Sequence, residues 1–319
     1  MTTDGAESCR RAFGLTFQSD LPLPELPTVA TGSTVDVTIR RAAIVPGAEF
    51  DERGMAFWVG GSGADEFGYA YRGVAAFLVQ NGRRILVDAE AGILDEVVRL
   101  SLLGPALGLL LHQRGLHVLH ASTVAYRGAA VSFVGAGGWG KSTTVALLQA
   151  LGWELVSDDL TALILPSVES PTNESRVLAL PGFAQVKLWP DAAIAAGADV
   201  AALPKLHPGF EKRALRSIAA FAPEPRPVRR IYALGFGDRL TVETASVQEG
   251  FAELARHFYG ARFGPDFLRT LGAEAMLLRA ATLLRAASVR RLLRPDTTLA
   301  APREMAATIE RLIIADLAT

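Results

Sequence analysis

The chain has 319 residues, 50% of them hydrophobic, and a formal net charge of -1. That length suits two medium domains or one domain with a large extension, and the near-neutral charge provides no global positive field for nucleic acid or a membrane surface. Cys9 is the only cysteine, which excludes disulfides within the chain and zinc sites built from several cysteines.

The first residues, "MTTDGAESCRR", lack the apolar core of a signal peptide. "SDLPLPELP" (Ser19–Pro27) carries three prolines and is expected to be extended. "TVDVTIR" (Thr34–Arg40) alternates apolar and polar residues. "MAFWV" (Met55–Val59), "GVAAFLV" (Gly73–Val79) and "RILVD" (Arg84–Asp88) are short strand candidates. "QNG" (Gln80–Gly82) between the last two is a hairpin signal. Residues 1–92 therefore read as a small β-rich N-terminal domain, in which no catalytic group stands out.

"ILDEVVRLSLLGPALGLLLHQRG" (Ile93–Gly115) reads as a buried helix that Pro105 kinks or splits and Gly115 stops. Its most apolar part, Leu102–Leu111, is too short to span a bilayer. Together these features lead us to expect a soluble cytoplasmic protein, with no nucleic acid or membrane partner. The second domain, 93–319, begins here.

From Leu116 the pattern changes. "HVLHASTVAYRG" gives a strand and a turn, and "AAVSFVG" a continuously apolar strand. "KSTTVALLQALG" reads as a helix ending at Gly152, and "WELVS" as another strand. Strand, helix, strand of this kind implies parallel pairing through a right-handed crossover. Residues 167–180 are polar and expected to form a loop. From about 250 onward the chain reads as helical, and the Arg-rich stretch Arg279–Arg294 as a solvated helix face, with docking of an acidic leader peptide as the alternative.

Between the apolar strand and the helix lies Gly135-Ala136-Gly137-Gly138-Trp139-Gly140-Lys141-Ser142, which fits the template G-x-x-x-x-G-K-S. Glycines let such a backbone wrap tightly and aim its N–H groups at phosphate oxygens, and the following helix adds the positive end of its dipole. Lys141 would reach the β- and γ-phosphates of ATP, and the Ser142 hydroxyl would serve Mg²⁺, with Thr143 next in the helix. Trp139 is unusual at a loop tip; adenine, substrate, the first domain and plain surface packing are all open to it.

Asp158-Asp159 follows "WELVS", so both carboxylates are expected at the carboxyl end of that strand, where ligands bind in open α/β sheets. Transfer of a phosphoryl group to a hydroxyl needs a base and a metal ligand, and two adjacent aspartates can divide that work. Transfer also calls for extra cations. Candidates are Lys187, Lys212, Arg213, Arg229, Arg230 and Arg256, with Lys187 foremost because it lies in an apolar run beside Trp189.

"LHASTVAYRG", "VGAGGWGKSTT" and "LVSDD" together resemble the catalytic core of the bacterial HPr kinase/phosphorylase family. His120 stands twenty-one residues before Lys141, and Asp158 seventeen after it. The resemblance is strong over residues 115–165, weak to about 235 and absent from the first ninety. It implies an α/β fold with a P-loop core of the HPr kinase/phosphoenolpyruvate carboxykinase type, here preceded by the β-rich domain. It further implies ATP, Mg²⁺ and a serine acceptor. By position, Asp158 would be the base, with His120 orienting or tuning it. Asp159 would hold the metal with Ser142, and Lys141 would bind the transferred phosphate.

The family's next signature, Gly-Leu-Gly preceded by Glu and Arg, is replaced by "LALPGFAQVKLWP" (Leu178–Pro190), which offers Gln185 and Lys187. That departure puts in doubt both the reverse, phosphorylase-type reaction and the phosphocarrier protein as partner. The layout "FGLTFQSDLPLPELP", "LLHQRGLHVLHAS", "KLWPD" and "RRIYAL" is similar to a divergent branch encoded beside ribosomally made peptides, lasso-peptide kinases included. It implies a serine of a precursor peptide as acceptor. A small-molecule hydroxyl kinase and a non-catalytic nucleotide-binding regulatory module are the alternatives, and the oligomeric state is left open.

Overall fold

The computed structural model describes residues 9–30, 32–60, 65–166, 176–296 and 301–319. The chain forms two compact units, one running to Leu116 and also taking in Arg262–Gly272, the other made of His117–Ala261 and Ala273–Thr319. The sequence pattern places the boundary between 92 and 93.

In the first unit, strands β1 (Arg10–Ala12), β2 (Leu15–Ser19), β3 (Val37–Arg41), β4 (Met55–Val59), β5 (Glu66–Tyr71), β6 (Ala75–Gln80) and β7 (Arg84–Ala89) form one sheet, ordered β1-β2-β3-β7-β6-β5-β4. The hairpin expected at "QNG" joins β6 to β7, with Asn81 and Gly82 both at positive φ. Helices α1 (Asp95–Ser101) and α2 (Leu107–Gln113) flank a π-helical turn, Leu102–Ala106, that contains Pro105. Proline has no N–H to donate, so the helix widens there instead of breaking. The turn and α2 pack on β6, which is why this stretch belongs to the first unit.

In the second unit, β8 (His117–Leu119) and β9 (Ala121–Tyr126) are two strands where one was expected. The break falls at His120, whose N–H donates to His257 O at 2.8 Å. A hairpin through Arg127 and Gly128, both at positive φ, leads from β9 into β10 (Ala129–Val134). The glycine loop follows, then α3 (Lys141–Gln149), β11 (Glu154–Ser157), β12 (Thr161–Ile164), β13 (Leu178–Ala179) and β14 (Gln185–Leu188). Residues 167–175 of the expected loop lie outside the described residues, and its end carries β13.

After α4 (Pro190–Ala195) come β15 (Lys205–His207), β16 (Phe210–Arg216), β17 (Arg226–Phe236), β18 (Thr241–Thr244) and α5 (Val247–Arg256). Next is α6 (Pro265–Leu271), part of the first unit, and then α7 (Ala273–Ala286), β19 (Ser288–Arg294) and α8 (Pro302–Leu317). The stretch read as an Arg-rich helix is thus half helix and half strand. β19 lies between β17 and β18, with Val289, Leu292 and Arg294 buried. Sheet pairing and burial on both faces, Val289 in one core and Leu292 in the other, outweigh helix propensity there.

The main sheet runs β11-β9-β10-β17-β13-β12-β8, with β19 beside β17 and β18 beside β19. β10, β17 and β19 are parallel neighbours. The expected direct pairing of β10 with β11 does not occur: β9 lies between them, antiparallel to both, so the two still point the same way. Alternation along β10 feeds two cores. Val131 and Phe133 meet α3 and α8, whereas Ala130 and Val134 face the side of Leu254 and Leu283 on α5 and α7. The sheet is thereby covered on both faces, and its functional groups emerge at the strand ends. β14, β16 and β15 form a separate small sheet.

Candidate functional site

The apolar run of β10 ends at Val134, buried, and the glycine loop turns out of the sheet edge with Ala136, Gly137 and Gly138 exposed. Gly138 (φ 83°) and Gly140 (φ 82°) sit in the left-handed region, which a side chain would disfavour by about 1–2 kcal/mol. A Cβ on Gly140 would also lie 2.7 Å from Arg294 Nη2. Gly140 caps α3 without a side-chain bond, and Lys141, Ser142 and Thr143 form the helix's first turn.

Lys141 folds back over its own loop: Nζ donates to Gly135 O at 2.8 Å and to Ala136 O at 3.3 Å. Burial holds its pKa below the ordinary lysine value, opposed by the charges of Asp159 and Asp158. The loop thus presents backbone carbonyls to its own lysine while exposing its tip, an arrangement an incoming triphosphate could take over.

Asp158 and Asp159 follow β11 at the same edge. The turn that carries them is closed by buried hydroxyls, Ser157 Oγ to Thr161 Oγ1 at 2.8 Å, with Thr161 Oγ1 donating to Ala121 O at 3.1 Å. Thr123 Oγ1 joins Thr161 to Ser132 Oγ of β10, at 2.9 and 2.8 Å. Asp159 takes a left-handed backbone (φ 69°), which an Asp tolerates better than most residues. The two side chains consequently meet different partners.

Asp158 Oδ1 accepts from Ser122 Oγ at 2.6 Å and from Ser142 Oγ at 2.9 Å, and Oδ2 accepts from the Lys187 N–H at 2.9 Å. Burial raises its pKa above the ordinary carboxylate value, an effect the Ser122 hydroxyl and Lys187 N–H oppose and the Asp159 charge reinforces. An ionised carboxylate has about four acceptor positions, so three bonds leave room for one more hydroxyl.

Asp159 Oδ2 pairs with Lys187 Nζ at 2.9 Å. His120 Nδ1 lies 3.0 Å from Asp159 O and 3.3 Å from its Oδ1. A carbonyl oxygen only accepts, so the bond to Asp159 O requires the proton on Nδ1.

The structure therefore brings Lys141, Ser142, Asp158, Asp159, Lys187 and His120 to one place, with two changes of partner. His120 touches Asp159, not Asp158. Ser142 touches Asp158, so the hydroxyl and carboxylate expected to share Mg²⁺ are not joined to each other. Their hard oxygens suit that ion, which is ordinarily held by one or two protein oxygens and substrate phosphates. Among the described residues no group of three or more His, Cys, Asp or Glu gathers as a metal cage.

The other candidate cations fall elsewhere. Arg230 is buried against Asp316, Arg213 pairs with Glu211, Arg256 with Glu253, Arg229 is exposed, and Lys212 lies 5.6 Å over the Trp189 ring. Two contributors escaped the sequence reading. Ser122, two residues past His120, is a buried hydroxyl in an apolar strand. Arg294, at the end of the misread Arg-rich stretch, donates through Nη2 to Trp139 O at 2.8 Å.

No protein-family model matches the chain. No curated protein matches it. Among solved structures, the chain is similar to the Hpr(Ser) kinase/phosphatase from Coxiella burnetii, at 13% identity over 62% of this chain and 89% of that one, with a TM-score of 0.33. No helix among the described residues is long and apolar enough to cross a membrane.

Proposed function

We propose that the chain is an ATP-dependent kinase that transfers the γ-phosphate to a serine hydroxyl of a peptide, a ribosomally made precursor of the lasso type. The observation that carries this reading is the bond between Ser142 of the glycine loop and Asp158 at 2.9 Å. It sets a buried carboxylate beside the loop that would cradle the triphosphate. A nucleotide switch without transfer has no need of a general base. The peptide acceptor is supported by the resemblance of the sequence layout, and dependence on ATP agrees with a cytoplasmic location.

The loop N–H groups and the α3 N-terminus would bind the phosphates, and Lys141 would leave Gly135 O for the γ-phosphate. The acceptor hydroxyl takes the fourth acceptor position on Asp158. Its oxygen bonds to the γ-phosphorus as the bond to the β,γ-bridging oxygen breaks. ADP departs and the hydroxyl proton passes to Asp158. Lys187 fixes both aspartates at once, through its N–H on Asp158 and its ammonium on Asp159, and His120 holds Asp159 from the other side. Mg²⁺ would neutralise phosphate charge, and the Ser142 hydroxyl is the protein group offered to it.

The test is mass spectrometry after incubation with ATP and Mg²⁺, offering serine-ended peptides, any peptide encoded beside the gene, and a phosphocarrier protein. One phosphate gained on a peptide serine supports the proposal. Failure to phosphorylate any of them while ATP remains bound points to a small-molecule acceptor or a regulatory module.

A further inference from the structure

Strand order gives the candidate site a polarity. The glycine loop rises from β10. On one side, beyond β9, β11 delivers Asp158 and Asp159. On the other, β17 and then β19 end at Phe236 and Arg294, which are register partners. Because β10, β17 and β19 are parallel, the loop, Phe236 and Arg294 leave the sheet at the same edge, the one where ligands bind in open α/β sheets.

Two large aromatic side chains stay in the open there, Trp139 at 38% and Phe236 at 45% exposure. Their ring centroids are 5.5 Å apart and the planes are splayed by 61°, not stacked on each other. Arg294, 7% exposed, ties them together. It donates to Trp139 O at 2.8 Å and places its guanidinium carbon 5.1 Å from the Phe236 centroid. Exposed rings, one under a buried cation and the other on a backbone that the same cation fixes, are suited to stacking a planar aromatic ligand.

We infer that Trp139 and Phe236 form the stacking platform for the purine base of the nucleotide, with Arg294 holding the Trp139 backbone and the Phe236 ring in position. This rests on the reading of the loop as a triphosphate site. Trp139 belongs to that loop, so an aromatic group reaching its ring is joined to, or adjacent to, bound phosphates. The aspartate side then receives the γ-phosphate end and the acceptor, and the aromatic side receives the base.

Isothermal titration of ATP and of inorganic tripolyphosphate separates the two readings. Compare the wild-type chain with Trp139→Ala, Phe236→Ala and Trp139→Phe. Trp139→Ala is expected to weaken ATP about tenfold, the scale of one lost stacking contact, with tripolyphosphate changed less than about twofold. Phe236→Ala should act in the same direction, and Trp139→Phe should keep ATP affinity within about threefold. Equal loss for both ligands, or no loss for either, overturns the platform while the triphosphate reading stands. A wild-type chain that binds neither ligand overturns both.

Discussion

Replacing Asp158 by Asn tests the assignment of the base without dismantling the site. Wild-type Oδ2 accepts one backbone N–H, and Oδ1 accepts two hydroxyls. An Asn can turn its carbonyl to the Lys187 N–H and its amide to Ser122 and Ser142, whose hydroxyls then accept instead of donate. The three contacts survive, but the proton acceptor does not. Removing a general base lowers turnover by about 10²–10⁴-fold, or roughly 3–5 kcal/mol in the barrier.

Stability should move the other way. Burial lifts the folded pKa of Asp158 above its unfolded value. The native state therefore binds the proton more tightly than the unfolded one. Wild-type stability falls as pH climbs from the unfolded value through the folded one, and the deficit is complete above both. Asn has no such term, so at neutral pH and in chelator the variant should melt no lower than wild type. Asp158→Ala instead leaves the buried Ser122 hydroxyl and the half-buried Lys187 N–H and Ser142 hydroxyl without their acceptor, at about 1–3 kcal/mol for the fully buried group and less for the other two. The assay pairs steady-state ADP release with calorimetry of both variants. Turnover of the Asn variant within about tenfold of wild type would refute the base assignment. An Asn melting temperature as depressed as that of Ala would refute the hydrogen-bond argument.

Two further substitutions probe the scaffold. Gly140→Ala adds a side chain at φ 82° and sets its Cβ 2.7 Å from Arg294 Nη2. It should cost about 1–2 kcal/mol in unfolding free energy, a few degrees in melting temperature, and should weaken ATP in titration; unchanged melting and binding would contradict the backbone reading. His117, buried in β8 with no hydrogen-bond partner for either ring nitrogen, has its pKa pushed down to about 4 by burial and by Arg279. It is neutral when folded, so its contribution is fully present above about 6.5, the unfolded value, and is lost as pH falls to about 4, about 3 kcal/mol in all. His117→Leu should flatten that part of the stability profile in urea titrations from pH 4 to 7, and an unchanged slope would count against it.

Where local pattern and final environment agree, the sequence is a good guide. Met55–Val59 is a strand as read, and the turn at Gln80–Gly82 joins the strands expected on either side. The glycine loop also sits between a strand and a helix, because its spacing, its glycines and its helix-forming sequel all favour that geometry. The misreadings share a cause, namely partners far along the chain. "HVLHASTVAY" reads as one apolar strand, yet the His257 carbonyl takes the His120 N–H and the chain switches from pairing with β12 to pairing with β10 and β11. "ASVRRLLR" continues a helical composition, yet it becomes a strand because β17 and β18 both offer it hydrogen bonds.

The aspartate pair shows the same limit at the scale of single side chains. Neighbouring residues on a turn can face different directions: with a left-handed backbone at Asp159, Asp158 meets Ser142 of the glycine loop and the Lys187 N–H, while Asp159 meets the Lys187 ammonium and His120. Spacing along the chain could place both carboxylates at the sheet edge but could not divide their partners. Strand order is equally hidden. With β9 between β10 and β11, the aspartates stand one strand further from the loop than a direct βαβ pairing would put them. The width of that gap is what gives Ser122, on the intervening β9, its place against Asp158. The position of a serine that looks like part of an apolar strand is therefore a direct consequence of the topology: the strand that separates the loop from the aspartates supplies a second hydroxyl to Asp158, beside the one Ser142 brings from the loop.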